Sequence, residues 1–108
     1  MAEYSLEDEA EYDLLEIGRY TTRTWSVDKA VRYLSALEDH FEALSKRDAL
    51  EREVFDHRED YPVSRCQHHY VFFVRERDDH VLILAVLHES MDLIARFRER
   101  IDRGGMGS

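Results

Sequence analysis

Cysteine, proline and glycine are nearly missing from these 108 residues. The single cysteine, Cys66, excludes an internal disulfide and fits a reducing compartment. Proline occurs once, so a strand through Pro62 is expected to begin there or to lie on a sheet edge. Gly18 is the only glycine before residue 104, which excludes a glycine-rich phosphate loop and leaves Ser90 without the glycine-flanked elbow of a serine nucleophile. No apolar run approaches the roughly 18 residues of a membrane span. The acidic start MAEYSLEDEAEYD lacks the basic-then-apolar order of a signal peptide. A cytoplasmic protein without a membrane contact is expected.

Cations are also scarce. There are 15 Lys/Arg against 24 Asp/Glu, a net charge of −9, and no lysine follows Lys46. The imbalance sits in residues 1–60, with 17 acids against 8 bases, whereas residues 61–108 hold seven of each. Such a surface repels a phosphate backbone, so direct nucleic-acid binding is not expected. A basic protein partner suits it better, and solubility alone would explain it equally well.

What is present is a chain 44% hydrophobic, enough for one small core. A single domain over residues 1–102 is expected, with a disordered glycine-rich tail at 103–108. Tyr4-Ser5-Leu6 reads as a short strand. Ser5 and Asp8 resemble a capping box, with Glu7-Asp8-Glu9 suited to a helix N-terminus. Ala10, Leu14, Ile17, Thr21 and Trp25 then recur at helical spacing. Ser26 reads as the N-cap of a second helix with the stripe Ala30, Leu34, Leu37, Phe41 and Leu44, and Tyr33 beside it. The short joint implies an antiparallel helical hairpin, whose aromatic residues are read first as core. The stretch KRDALEREVFDHRED, residues 46–60, is weakly periodic and could hold a helical turn.

Two strands follow, HYVFFVR (residues 69–75) and VLILAVL (residues 81–87), joined by a turn at 76–80 as an antiparallel hairpin. Alternation puts Val81, Ile83, Ala85 and Leu87 on one face against Leu82, Leu84 and Val86. Both faces are apolar and both need cover. The helical hairpin can cover one; a last helix with Met91, Ile94, Phe97 and Ile101, or a partner, or each in turn, must cover the other. Arg96, Arg98, Arg100 and Arg103 supply cations near that helix's C-terminus. The fold class is therefore α+β, a helical hairpin on a small antiparallel sheet with a short C-terminal helix.

Candidate chemistry is sparse. Cys66, His68 and His69, with Asp56, His57 or His80, match no zinc spacing, and neighbouring strand residues point to opposite faces. No metal and no cofactor are expected. A nuclease-type site would need a base and cations around a phosphate, and Arg58, Tyr61, Arg65, His69, Arg75 and Arg77 lie in one half of the chain. No dense basic cluster accompanies them, which favours ordinary surface arginines. In LAVLHESMDLI, residues 84–94, His88, Glu89, Ser90 and Asp92 resemble a catalytic cluster. Helix-capping chemistry accounts for them better: Ser90 as N-cap of a helix starting near Met91, Asp92 in its first turn, and His88 at the strand end.

The order of these motifs resembles the ParE-like branch of the ParE/RelE toxin superfamily, toxins of type II toxin–antitoxin modules. The resemblance runs from Tyr4 to about Asp92. It rests on A-x-x-D-L-x-E-I-x-x-Y-T from Ala10 to Thr21, on Trp25, and on Ala30, Tyr33, Leu37, Phe41 and Leu44. It continues with Arg58 and Tyr61, the histidine-led strand from His69 to Phe73, and the closing L-H-E-S-M-D at Leu87 to Asp92. The resemblance implies a helical hairpin on a small sheet and a ParD-like antitoxin wrapped around the toxin in a hetero-oligomer. It also implies poisoning of DNA gyrase by binding, without a reaction. Arg58, Tyr61, Arg65, His69 and Arg75 are the candidates for target contact. Trp25, Tyr33, Phe41 and Phe73 are those for antitoxin contact, and His88, Met91 and Asp92 form a structural signature. The alternatives are a RelE-like ribosome-dependent mRNA endonuclease using Tyr61, His69, Arg58 and Arg75, and an attenuated homologue that only binds antitoxin. The sequence departs from the family pattern at Asp60 (usually glycine), Pro62 (usually arginine) and Gln67 (usually glycine).

Overall fold

The computed structural model describes residues 3–47, 52–55 and 60–102, with the backbone alone for 52–55, 60, 61, 93 and 94. The elements run β1 (Tyr4–Leu6), α1 (Asp8–Thr24), α2 (Val27–Ser45), β2 (Arg52–Phe55), β3 (Asp60–Cys66), β4 (His69–Arg75), β5 (Val81–His88) and α3 (Leu93–Asp102). The sheet order is β1-β5-β4-β3-β2. The expected α+β architecture is present with one change, because β1 pairs with β5 in parallel and the sheet is mixed. The tail at 103–108, Arg103 included, lies outside the described residues.

Helix ends follow local chemistry. The Ser26 side chain accepts from the Lys29 N–H at 3.0 Å and starts α2 as expected. At α1 the expected capping box is replaced: Glu7 is the N-cap and makes no side-chain cap. The Ser5 hydroxyl instead bonds His80 Nε2 at 2.9 Å, tying β1 to the start of β5. Trp25 terminates α1 and is 64% exposed, so it leaves the apolar stripe it seemed to continue. Gly18 lets the two helices approach closely, since a Cβ there would stand 3.2 Å from Leu34 Cδ1.

A strand, β2, occupies part of the charged stretch read as a helical turn, paired antiparallel with β3. Pro62 therefore lies inside β3, two residues after its start. It is tolerated because the β3–β4 ladder begins only at Val63, opposite Phe72, so at Pro62 the strand has β2 as its sole neighbour.

Both sheet faces are covered. On the hairpin side Leu37, Phe41 and Leu44 of α2 pack with Val71, Phe73, Val81, Ile83 and Val86. On the other, Val63, Phe72, Leu84, Ala85 and Leu87 pack with Phe97 of α3, whose ring stacks on Phe72 at 4.4 Å. Simple alternation misplaced the end of β5. Phe72 pairs with Ala85 and Phe73 with Ile83, leaving Leu84 as an extra residue. This β-bulge moves Ala85 and Leu87 to the α3 face and Val86 to the hairpin face.

The bulge also exposes backbone groups, because β1 ends opposite Ile83 and gives β5 no further neighbour on that side. Side chains replace the missing strand. Asp13 Oδ2 of α1 accepts the Val86 N–H at 2.9 Å, and Arg100 of α3 reaches the Leu84 carbonyl at 3.4 Å. Arg100 also holds Asp13 through both nitrogens, at 2.7 and 3.0 Å, and its Nε lies 2.8 Å from Glu9.

Candidate functional site

A cluster of polar side chains lies at the end of the sheet where the β3–β4 turn meets the end of β5 and one side of α2. The turn is tight: Cys66 pairs with His69, leaving Gln67 and His68 to reverse the chain. Gln67 has φ 55°, the left-handed conformation that favours glycine. Glutamine bears the strain of this conformation, which a glycine would adopt freely.

His69 is buried beneath α2, with its Nδ1 2.6 Å from the Tyr33 hydroxyl. The same hydroxyl accepts the His68 N–H at 3.2 Å. Burial, reinforced by the neighbouring His88 and His68 rings, lowers the His69 pKa to about 4. Burial likewise raises that of Tyr33. Near neutral pH the pair is thus an uncharged imidazole against a protonated phenol. His88 packs edge-on against His69 at 5.1 Å and lies over His68 at 6.4 Å.

Outside this buried pair lies a polar rim. Glu89 accepts from Arg65 at 2.6 Å through one oxygen and pairs with His68 Nδ1 at 2.8 Å through the other. Those contacts, the His68 hydrogen bond foremost, lower the Glu89 pKa. Arg65 also donates to the Gln67 carbonyl at 3.0 Å.

The cluster seen in LAVLHESMDLI is a corner. His88 Nδ1 lies 2.7 Å from the Ser90 hydroxyl and accepts the Ser90 N–H at 3.0 Å. Asp92, two residues later than the expected cap, accepts the Ala95 N–H at 3.3 Å and starts α3. Met91 is exposed.

The proposed target-contact residues do not share one place. Arg65 and His69 sit at the turn, and only Arg65 of the two is exposed. Arg75 lies at the far end of β4, six residues and roughly 20 Å away. There its guanidinium donates to the Leu44 carbonyl at 3.0 Å and closes the end of α2. Tyr61 is on β3 opposite Val54, displaced toward that same far end. Arg58, like Asp56 and His57, lies outside the described residues. Among the described residues no three His, Cys, Asp or Glu side chains are placed to hold a metal.

The antitoxin candidates divide as well. Phe41 and Phe73 are fully buried and join the sheet to the hairpin, so they offer no surface to a partner. Tyr33 is half-buried and engaged with His69. Trp25 is exposed, with the Lys29 ammonium 4.0 Å over its ring. Exposed apolar surface beside the hairpin was expected for an antitoxin to cover, but its residues were not named: a groove of about 520 Å³ between α1 and α2 is lined by Leu14, Leu15, Val27, Val31 and Leu34, together with Arg19 and Arg23. Leu15, Val27 and Val31 are each half exposed or more. The signal was available, since Leu15, Val27 and Val31 flank the core stripes and broaden the apolar face beyond what one sheet can cover.

No helix among the described residues is long and apolar enough to cross a membrane. The sequence model described as ParE toxin of type II toxin–antitoxin system, parDE, matches residues 4–93. The chain is also 38% identical over 104 residues to a curated protein of Escherichia coli named Toxin ParE, covering 94% of this chain and 98% of that one. With the helical hairpin, the five-stranded sheet and the His88–Asp92 corner in place, these matches show that the chain belongs to the ParE toxin family of type II toxin–antitoxin systems, toxins that pair with an antitoxin.

Proposed function

We propose that this toxin acts in the cytoplasm, is neutralised by a ParD-like antitoxin, and stops growth by binding DNA gyrase without a reaction of its own. The observation that carries the reading is the match over nearly the whole length of both chains to Toxin ParE. The dispersal of the candidate catalytic groups supports binding over nuclease chemistry, with His69 buried and uncharged and Arg75 roughly 20 Å from it. The hairpin groove supports the antitoxin half of the reading. It is an apolar trough with arginines in its lining, suited to the aliphatic face of an amphipathic helix with acidic flanks.

Inducible expression with and without the neighbouring antitoxin gene tests this directly. Growth is expected to stop only without antitoxin, and purified toxin should trap gyrase in cleavage complexes. Codon-register cuts in translated messages with untouched gyrase would replace the reading by the endonuclease. Tight antitoxin binding with normal growth would replace it by the attenuated homologue.

A further inference from the structure

One face of this acidic molecule is cationic. From Gly18 to Leu37 the chain carries Arg19, Arg23, Lys29 and Arg32 against a single acid, Asp28, within a net charge of −9. Lys29, Arg32 and Tyr33 lie on one side of α2. Together with Gln67 of the β3–β4 turn they line a cavity of about 320 Å³. No carboxylate among the described residues pairs with Lys29 or Arg32. The lip continues through Arg65, which grips the Gln67 carbonyl, and through His68. Glu89 already serves both Arg65 and His68. Trp25, beneath the Lys29 ammonium, supplies an exposed ring at the other end. Arg19 and Arg23 belong to the hairpin groove, whereas Trp25, Lys29, Arg32, Arg65, Gln67 and His68 do not line it.

We infer that this face, running from Trp25 through Lys29, Arg32 and Gln67 to Arg65, grips an acidic segment of the protein the toxin acts on. The inference rests on the reading above only in taking that target to be a protein. Lys29 and Arg32, the two cations of this face without a carboxylate partner among the described residues, match a short run of carboxylates, Lys29 as a point charge and Arg32 as a fork for one carboxyl group. A nucleic acid would need many phosphate contacts at once, and beyond this patch each added phosphate would meet acidic surface. Trp25 and the two arginines are the residue types that dominate interface energetics.

The test is an amide NMR titration of the labelled toxin with a short Glu/Asp-rich peptide and, separately, with single-stranded DNA of similar charge. The peptide is expected to shift saturably the amides of residues 25–33 and 65–69, and to release in high salt. The double variant Lys29→Glu/Arg32→Glu is expected to weaken it about tenfold or more, with an unchanged thermal melt. No shifts, shifts centred elsewhere, tighter binding of the DNA, or full peptide binding by the variant would each overturn the inference. In cells the variant should lose growth arrest while still co-purifying with antitoxin; arrest at wild-type strength would count against it. Gyrase is absent from the titration, so a toxin that binds the peptide yet leaves gyrase unaffected refutes the named target and spares the face.

Discussion

Replacing Asp13 should unfasten α3 and uncover the second face of the sheet. Asp13 and Arg100 retain side-chain exposures of only 12% and 13%, and they are joined by two hydrogen bonds. Partial burial alone would lower the Arg100 pKa, yet Asp13 and Glu9 together raise it. The Asp13→Ala change removes both bonds to Arg100 and leaves the Val86 N–H at the bulge without its acceptor. Breaking a buried pair by removing one partner costs about 3–5 kcal/mol. Glu9 remains beside Arg100 and some solvent reaches the pair, so about 2–3 kcal/mol is the reasoned value. For a domain of this size that corresponds to a fall in Tm of roughly 10–20 °C. Arg100→Met should cost less, because Asp13 keeps the Val86 N–H. The double variant should be at least about 1 kcal/mol more stable than the sum of the two changes predicts. Urea unfolding measures the cycle, and hydrogen exchange should show the α3 amides losing protection in Asp13→Ala before those of β4. A single-variant loss under about 0.5 kcal/mol, or strict additivity, would refute the view that these side chains replace the missing edge strand.

Further outcomes follow from the turn, the core and the groove. His69 is held neutral, with a pKa near 4 against an ordinary 6.5, so the unfolded chain binds more protons between those values. Its contribution is complete above about pH 6.5 and is lost as pH falls toward 4, about 3 kcal/mol in all. His40, lowered by burial, acts in the same direction. Urea midpoints at pH 7.5 and pH 5 should show this slope, and a slope unchanged in His69→Gln would count against the assignment. Gln67→Gly should stabilise the protein by about 0.5–1 kcal/mol by relieving φ 55°, and a lower Tm would contradict that. Phe41→Ala should cost about 3–5 kcal/mol in denaturant unfolding. By contrast, Val27→Asp/Val31→Asp should leave the melt nearly unchanged and weaken antitoxin at least about tenfold in calorimetry.

The elements that could be read from the sequence are those whose pattern and chemistry agree locally. The two long helices and the β4–β5 hairpin carry apolar periodicity strong enough to mark each element, and Ser26 caps where its type predicts. The misreadings share a cause, a tertiary partner that changes the local answer. Ser5 would cap α1 if His80, 75 residues away, did not claim its hydroxyl. Alternation in β5 would hold if Asp13 and Arg100 did not stabilise an extra residue at Leu84. The charged stretch after α2 reads as a helical turn because nothing local announces that β3 will pair with it.

The site was less legible for a related reason. Residue type alone marks Arg65, His69 and Arg75 as equivalent candidates, whereas the strand separates them: one on the rim, one under α2, one closing a helix end. Burial is what distinguishes Phe41 and Phe73 from Trp25, and a helical stripe cannot tell its final turn from its middle. The run LHESMD shows the opposite case. Its polar residues solve geometric problems at one corner: His88 ends the strand and receives Ser90, Glu89 holds the β3–β4 turn through Arg65 and His68, and Asp92 starts α3. The hairpin groove and the cationic face of α2 are the surfaces that these corners and turns hold in place.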